Sequence, residues 1–300
     1  MNPSLRSLAD LLRIHFFFAW PLLFCSGLAL AFVQYGTFSW ETTVKAILIA
    51  FFGFEAGFVI NDYVDRKHDR RDVDGRLTRY WRPFGTRPLA TGALSDRQVI
   101  AIGALLIAAA AALTMTLPPP HNFFVLAIGV YSYTAEILYQ YTKRSQHLPF
   151  AQLLGRTDFA LFPAAGYLCA GFPDLTALLY VLFFYPFALA HLGVNDLADE
   201  ENDHARGMRS VAVLYGRSVT AWWISGFSLL HFALAPLFAS QLGMAGQVGL
   251  LLGIVLLLAG NFRVLRSPDP ASAMRVLPLF HVAMICYTLA IIVDAAIRIV

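Results

Sequence analysis

Hydrophobic residues in this chain occur in long runs, without the strict alternation of a strand or the repeat of a coiled coil. Turn-forming stretches such as 116–122 and 171–174 separate them. Runs of about 20 apolar residues match the thickness of a bilayer, where only helices and closed barrels satisfy the backbone. We therefore predict an all-α membrane protein with nine transmembrane helices, at roughly 14–34, 43–61, 98–117, 122–141, 150–171, 174–194, 219–239, 245–265 and 275–299.

Composition supports this interpretation. The 300 residues are 58% hydrophobic and only 14% charged, whereas a soluble domain carries about a quarter charged residues. The first run is long enough to span a bilayer and no small-residue cleavage site follows it, so we do not expect a cleaved signal peptide. Cys25, Cys169 and Cys286 lie inside apolar runs and form no disulfide or metal motif. We expect a single polytopic domain over 1–300, with the lipid bilayer and not nucleic acid as a partner.

The basic residues predict the orientation of the helices. Nine crossings place 20 of the 22 Lys and Arg residues on one face and only Lys45 and Arg298 on the other. By the positive-inside rule the basic face is cytoplasmic, and a bacterial inner membrane is the expected location. Two loops on this face are longer than the rest, at about 62–97 and about 195–218, and both carry charges of both signs.

Each of these two loops opens with the same acidic pattern, D-x2-D-x3-D preceded by asparagine. Its members are Asn61, Asp62, Asp65 and Asp69 in the first loop and Asn195, Asp196, Asp199 and Asp203 in the second. Steps of three and four residues place the carboxylates on one helix face, where they repel each other. Mg²⁺ would offset that repulsion, because it takes carboxylate oxygens and completes its shell with water and substrate phosphates. Solvated acidic helix ends would explain neither the repeat nor the asparagines.

Basic residues near these sets are candidates for binding phosphate, although each can equally be a positive-inside anchor. The candidates are Arg66, Lys67, Arg87, Lys143, Arg144, Arg206 and Arg209. Arg87 and the pair Lys143–Arg144 are favoured, because they adjoin segment ends next to turn residues. Arg82, in "WRPF", is an alternative to Arg87 for the same work.

Four stretches in order resemble the UbiA superfamily of intramembrane prenyltransferases. They are "INDYVDRKHD", "TRPLATGALS", "YTKRSQHLPFAQLLG" and "NDLADEENDHARGMRSVAVLYG". The resemblance covers nearly the whole chain and implies a helical bundle around a central cavity, capped on the cytoplasmic side by the two long loops, which are expected to be helical. It also implies that an isoprenyl diphosphate binds on two Mg²⁺ ions, one held by Asn61, Asp62, Asp65 and Asp69 and the other by Asp196, Asp199 and Asp203.

The same resemblance assigns roles to individual residues. The diphosphate is expected on Arg66, Arg87, Lys143, Arg144 and Arg206, and Arg13 sits where the family often has an arginine leading into the first helix. Loss of diphosphate builds negative charge that Mg²⁺ and Lys143 would stabilise. The allylic cation needs aromatic faces, for which Tyr139 and Tyr141 are the candidates. We expect Asp65, Asp199, Lys143 and Tyr139 to carry the chemistry.

Ionisable residues inside apolar runs are costly and therefore functional candidates. They are Glu55, Glu136, Asp158 and His191. Arg156 and Asp158 lie two residues apart in "LLGRTDFALFP", where they either pair with each other or bind the acceptor. We take Arg13 and Asp158 as the candidate acceptor-binding residues.

The expected function is Mg²⁺-dependent transfer of a prenyl group from an isoprenyl diphosphate to an aromatic or other lipophilic acceptor, as in the synthesis of quinones or related lipids. An ion-coupled transporter is an alternative. Transporters, however, place acidic residues near the midplane at interrupted helices, and here they stand at helix ends. A membrane assembly factor without chemistry is a second alternative, which the intact set of six aspartates disfavours.

Overall fold

The computed structural model describes residues 3–299, which are about 80% helical and include no β-strand. Nine helices of 17–30 residues form a bundle, and three shorter helices lie at one end of it. In chain order they are α1 (Pro3–Leu11), α2 (Ala19–Tyr35), α3 (Trp40–Asp65), α4 (Arg76–Trp81), α5 (Asp96–Met115), α6 (His121–Thr142), α7 (Phe150–Leu168), α8 (Leu175–Ala198), α9 (Glu200–Arg206), α10 (Val211–Ala239), α11 (Met244–Arg266) and α12 (Pro270–Ile299).

Each predicted run coincides with one of the nine long helices. Seven helices in the described part of the chain are long and apolar enough to cross a membrane, so the protein is an integral, multi-pass membrane protein. The exceptions among the nine are α6 and α7, which carry ionisable and amide side chains along their length. Nine membrane crossings were predicted, two more than these seven helices account for.

Consecutive long helices pack against each other, and α12 packs against α2, so that the nine helices close a ring. Contacts also cross the ring from α2 to α7 and from α8 to α12. The α2–α7 crossing is very tight. A Cβ atom added at Gly27 would lie 1.8 Å from the Pro163 carbonyl oxygen, and one added at Gly166 would lie 1.8 Å from that of Phe24. Small residues let membrane helices approach in this way.

Aromatic side chains fill the part of the ring bounded by α8, α10 and α12. The rings of Phe183 and Phe238 are stacked with centroids 4.8 Å apart, and the Tyr287 ring meets Phe183 edge-on. All three side chains are buried. This packing leaves the open space of the bundle among the other helices.

The short helix α1 fastens the first long loop to the bundle. Asp10 is fully buried, and its carboxylate accepts hydrogen bonds from the backbone N–H groups of Phe84 (2.7 Å) and Thr86 (2.8 Å). The Arg82 guanidinium donates to the Asp10 carbonyl oxygen at 2.7 Å. The position of loop residues 82–87 therefore depends on a residue far away in sequence.

Replacing Asp10 with alanine should loosen this loop. Two backbone N–H groups would lose their acceptor, and the hydrogen bonds lost are part-buried, so the cost is about 1 kcal/mol each. We expect a lower unfolding temperature and faster tryptic cleavage after Arg79 in detergent, since Arg82 and Arg87 are followed by proline and resist trypsin. Asp96→Ala is the control, because Asp96 is exposed and its ion pair with Arg66 lies at the surface. Equal cleavage rates in the two variants would contradict the anchoring role of α1.

The two long loops also contact each other. Asn202, in α9, is buried, and its side-chain oxygen accepts hydrogen bonds from the backbone N–H groups of Val73 and Asp74, both at 2.9 Å. Its side-chain nitrogen donates to the Asp74 carbonyl oxygen (2.8 Å) and to Asp199 (2.7 Å). One asparagine thus joins the first loop to the second acidic set.

Candidate active site

A cavity of about 420 Å³ opens beneath the two long loops. Residues of α2, α3, α5, α6, α7 and α8 line it, together with residues of both loops, and none of its lining residues lies in α10, α11 or α12. The cavity is therefore enclosed by six of the nine long helices, which corrects the prediction of a central cavity within all nine. The physical reason is the aromatic packing described above, which fills the remaining third of the bundle.

The first acidic set stands where α3 ends. Asn61, Asp65 and Asp69 line the cavity. The Asp65 carboxylate accepts from Lys143 Nζ at 2.8 Å and from Arg144 Nη2 at 2.6 Å, so that the end of α6 is drawn onto the end of α3. Asp65, Lys143 and Arg144 were all candidate site residues from the sequence, and in the structure they are in contact.

Asp62, in contrast, does not line the cavity. Both of its carboxylate oxygens accept from Arg82 Nη2 at 2.8 Å, and one accepts from Arg13 at 3.0 Å. Arg13 itself is held in the left-handed backbone region (φ 46°), an unusual conformation for a residue other than glycine. In this geometry Asp62 binds the buried Arg82 and the partly buried Arg13, and it stays outside the cavity lining.

The second acidic set stands where α8 ends. Asp196, Asp199 and Asp203 all line the cavity. The chain leaves α8 at Asp199 and starts α9 at Glu200, so Asp196 points from the end of one helix and Asp203 from the next. Asp196 accepts from the backbone N–H of Val211 at 3.3 Å.

One guanidinium joins the two sets. Arg206 Nη1 lies 2.9 Å from Asp199, and Arg206 Nε lies 3.7 Å from Asp69. The same guanidinium is 3.8 Å from Asp203 and 2.5 Å from Asp72. Carboxylates from both loops therefore lie within reach of a single small ionic group, as binding of one diphosphate requires.

Arg87 and Arg82 have different surroundings, which bears on the choice left open by the sequence. Arg87 lines the cavity and binds Asp69 at 2.9 Å and Asp72 at 2.7 Å. Arg82 is buried behind the cavity on Asp62 and Asp10. The geometry favours Arg87 for contact with a ligand.

Two other predicted phosphate ligands lie outside the cavity. Arg66 binds Asp96 at 2.9 Å and the Tyr63 carbonyl oxygen at 2.6 Å on the outer side of α3. Arg144 binds Asp65 from behind and also the Val64 carbonyl oxygen. Neither side chain lines the cavity. In this structure Arg66 and Arg144 instead bind groups near the C-terminal end of α3.

At least one carboxyl in each acidic set has a raised pKa despite the basic residues around it. Burial raises the pKa of Asp69 to about 6, although Arg87 and Arg206 oppose the rise. Burial and the charges of Asp199 and Asp196 also raise the pKa of Asp203. Burial thus disfavours the charged forms of these carboxyls, and a bound cation would offset that cost.

Tyr139 lies between two cations. Lys143 Nζ is 5.0 Å and the Arg156 guanidinium carbon 5.6 Å from the centroid of its ring. The ring packs directly on Gly155, where a Cβ atom would lie 2.7 Å from it. Lys143, Arg156 and Tyr139 all line the cavity. Tyr141, the other candidate tyrosine, is 59% exposed and does not line it.

The two acidic sets form a charged mouth of the cavity, and aromatic side chains form its walls below. These aromatic residues were not identified from the sequence. Trp20 stacks on Phe54 with centroids 3.9 Å apart, and Phe58 and Phe159 meet Trp20 edge-on. These four rings and Trp81, from the first loop, line the cavity. Each apolar run is hydrophobic on all sides, so the pattern gave no signal to separate these rings from lipid-facing ones.

The ionisable residues inside the apolar runs differ in surroundings. Glu136 is buried beside the cavity and accepts from Asn61 at 3.0 Å and from Gln140 at 2.5 Å. Glu55 is fully buried, outside the cavity lining, and neither of its oxygens has a hydrogen-bond partner. It therefore gives no direct contact to a ligand in the cavity.

Arg156 and Asp158 both line the cavity wall on α7. Among the ion pairs of the described residues, none joins these two side chains, and Asp158 accepts from the backbone N–H of Phe159. The Arg156 Nε atom is buried without a hydrogen-bond partner. Of the two alternatives, this geometry favours contact with a ligand.

The acidic sets supply oxygen ligands but no preformed metal cluster within the described residues. Within residues 3–299, no three His, Cys, Asp or Glu side chains converge as a ready-made metal site. The reason is visible in the contacts above, since Lys143, Arg87 and Arg206 now occupy the carboxylates. Mg²⁺ commonly takes only one or two carboxylates along with waters and phosphates, and the oxygen ligands present suit it.

Residues 19–285 match the model of the UbiA prenyltransferase family. A 4-hydroxybenzoate octaprenyltransferase of Xanthomonas euvesicatoria is 31% identical over 73% of this chain and 68% of its own. One from Psychrobacter arcticus is 33% identical over 54% of this chain, which spans only 48% of that relative.

Solved structures share the fold. A UbiA homologue from Aeropyrum pernix K1 aligns over 93% of this chain and 98% of its own, with a TM-score of 0.75 and 18% identity. A UbiA homologue from Archaeoglobus fulgidus bound to DMAPP and Mg²⁺ aligns over 96% and 99%, with a TM-score of 0.68 and 17% identity.

Proposed function

The chain belongs to the UbiA prenyltransferase family, and from this premise we propose that it transfers a prenyl group from an isoprenyl diphosphate to an aromatic or other lipophilic acceptor, releasing diphosphate. The observation that carries the proposal is the meeting of both acidic sets at Arg206, directly above an aromatic cavity. A polyanion would bind at the mouth and its hydrocarbon chain below. Family membership favours this enzyme over the transporter and the assembly factor.

We propose that Mg²⁺ binds between the two loops. Asn61, Asp65 and Asp69 would hold it on one side, and Asp196, Asp199 and Asp203 on the other. Asp62 is left in a supporting role, because Arg82 and Arg13 occupy its oxygens. When bound, Mg²⁺ supplies positive charge that stabilises the diphosphate as a leaving group.

Three basic side chains are positioned to bind phosphate oxygens. Lys143, Arg87 and Arg206 line the cavity, and each is now paired with an aspartate of the mouth. Exchange of a carboxylate for a phosphate oxygen keeps these charges paired. Their charges would stabilise the departing diphosphate more than the bound substrate, which is the condition for faster bond cleavage.

The aromatic walls suit the other product of that cleavage. Ring faces attract cations, and Trp20, Phe54, Phe58 and Phe159 present them where an allylic cation would form. They also exclude water, which would otherwise capture the cation. Tyr139 lies beside Lys143, near the carbon–oxygen bond to be broken.

For the acceptor we propose an aromatic compound whose polar group meets the α7 wall. Arg156, with its unpartnered Nε, and Asp158 are the groups available there. Arg13 also lines the cavity, and its guanidinium lies 3.8 Å from the centroid of the Phe58 ring. Because curated relatives are named 4-hydroxybenzoate octaprenyltransferase, 4-hydroxybenzoate is the first compound to test.

We further propose that all nine long helices cross the membrane, with α6 and α7 turning their polar residues to the cavity. The two loops then form a cap on the cytoplasmic face, where 20 of the 22 basic residues lie. A bacterial inner membrane is the proposed location.

Chelation of the metal should stop the reaction. We expect protein in detergent, given farnesyl diphosphate and 4-hydroxybenzoate, to release diphosphate with Mg²⁺ and to release none above background after EDTA. Added Mg²⁺ should also raise the unfolding temperature, because the ion binds only the folded state. Undiminished diphosphate release in EDTA, with no effect of Mg²⁺ on unfolding, would contradict the metal site.

A further inference from the structure

A chain of hydrogen bonds leads from the cavity to the first long loop. His191, on α8, lines the cavity. Its Nε2 lies 2.9 Å from Nε2 of His281 on α12, and Nδ1 of His281 lies 2.5 Å from the Tyr80 hydroxyl on α4. Tyr80 is only half-buried, so this series of hydrogen bonds ends near solvent.

His191 occupies a suitable depth for the chemistry proposed above. It precedes Asp196 by five residues on α8, which places it about 8 Å deeper along the helix axis than the diphosphate-binding mouth. Its ring centroid is 6.2 Å from that of Phe159, one of the aromatic walls. The reacting carbon of a prenyl diphosphate would lie in this region, below the phosphates.

The hydrogen bonds between His191, His281 and Tyr80 have two proton arrangements, and the Asn195 side-chain nitrogen, 3.4 Å from His191 Nε2, donates to that atom only in the second. In the first, His191 Nε2–H donates to His281, and His281 Nδ1–H donates to the Tyr80 oxygen. In the second, both bonds are reversed and the Tyr80 hydroxyl donates. His191 Nδ1 is buried with no hydrogen-bond partner, so in the first arrangement it carries a free lone pair.

We propose that His191 is the base that removes the proton from the acceptor carbon after prenylation. This inference rests on the proposed function, which produces one proton in each turnover. His281 and Tyr80 then pass the charge to solvent, and the chain of hydrogen bonds changes from the first arrangement to the second.

The reaction balances without a further reagent. The carbon–oxygen bond of the allylic diphosphate breaks, and both electrons leave with the diphosphate. The acceptor's ring carbon forms a bond to the allylic carbon, and its own C–H electron pair restores the aromatic ring. The proton released goes to His191 Nδ1, and an equivalent proton leaves from the Tyr80 hydroxyl to water.

His191→Gln provides the main test. We expect prenyl transfer to fall about 10²-fold, the usual contribution of a general base. Diphosphate release should fall less, because ionisation needs no base, and prenyl alcohol should appear as water captures the cation. A 4-hydroxybenzoate deuterated at the reacting ring position should then show a primary isotope effect that is absent in the unmodified protein. Imidazole should partly restore transfer in His191→Ala.

Tyr80→Phe is the second variant, and it keeps the test valid if His191→Gln does not fold. It retains the ring but removes the last member of the chain. We expect a normal first turnover followed by slower later ones. If later turnovers proceed at the rate of the unmodified protein, Tyr80 does not pass the proton to solvent and the proposed proton transfer along the hydrogen bonds is wrong.

His231→Gln is the matched control. His231 is also buried and bonded to the α8 backbone, at the Phe183 carbonyl oxygen (2.8 Å), but it does not line the cavity. It should keep the normal ratio of product to diphosphate. If His191→Gln lowers transfer and diphosphate release equally and shows no isotope effect, His191 is structural and the inference is wrong. If the unmodified protein releases no diphosphate with any allylic donor and acceptor, the proposed function itself fails.

Discussion

Asp199→Asn should lower Mg²⁺-dependent diphosphate release by about 10³-fold, the upper range for removal of one preorganised electrostatic group. The change keeps the size of the side chain but removes a negative charge from the junction of α8 and α9. A neutral amide is a much poorer ligand for Mg²⁺ than a carboxylate. Asp65→Asn should have a similar effect from the other side of the cavity. The measurement is diphosphate release from farnesyl diphosphate and 4-hydroxybenzoate at saturating Mg²⁺.

Glu200→Gln is the control for Asp199→Asn. Glu200 is the next residue in the chain, but its carboxylate binds Arg217 at 2.5 Å and does not line the cavity. It should retain nearly full activity. A near-normal rate in both Asp199→Asn and Asp65→Asn, with the proteins inserted in membranes, would rule out the assignment of the acidic sets.

Arg206→Gln should produce the second large effect, on stability as well as on rate. The substitution leaves the buried Asp69 and the partly buried Asp199 without their shared cation. Breaking a buried ionic cluster by removing one partner costs about 3–5 kcal/mol of unfolding free energy. Diphosphate release should fall about 10²-fold. Mg²⁺ should raise the unfolding temperature more in this variant than in the unmodified protein, because it replaces the missing positive charge.

Arg209→Gln tests whether that gain is specific. Arg209 lies three residues further along the same loop, but it donates to the Gln146 carbonyl oxygen and lies outside the cavity lining. Its substitution should leave the effect of Mg²⁺ unchanged. Equal Mg²⁺ effects in the two variants would show that Arg206 does not stand in for a metal.

The helices could be predicted from the sequence because lipid imposes a simple rule on them. Apolar runs of spanning length locate most long helices to within about five residues, although α10 begins eight residues before its predicted run. Helical cap loops were expected, but the bounds of α4 and α9, and α1 altogether, were not predicted, because loop contacts stabilise these short helices. Asn202 and Asp10 make such contacts, with partners more than 70 residues away in sequence.

The site was predictable where it depends on local spacing, as in the aspartates of each set. It was not predictable where distant residues decide the outcome. Asp62 and Asp65 fall on one stripe of α3, yet Arg82 and Arg13 hold the first while Lys143 meets the second. Likewise, His191 and His281 are 90 positions apart, and no sequence pattern in either helix predicts their contact.

The off-centre cavity divides the chain into two parts with separate duties. Every residue that lines the cavity comes from the first 210 residues, and α10 and α12 pack behind it against α8. On the proposed function, the length of isoprenoid that fits would be set by α2 to α8. Substitutions in α10 and α11 should then leave the choice of compounds unchanged, whereas α12 also contributes His281.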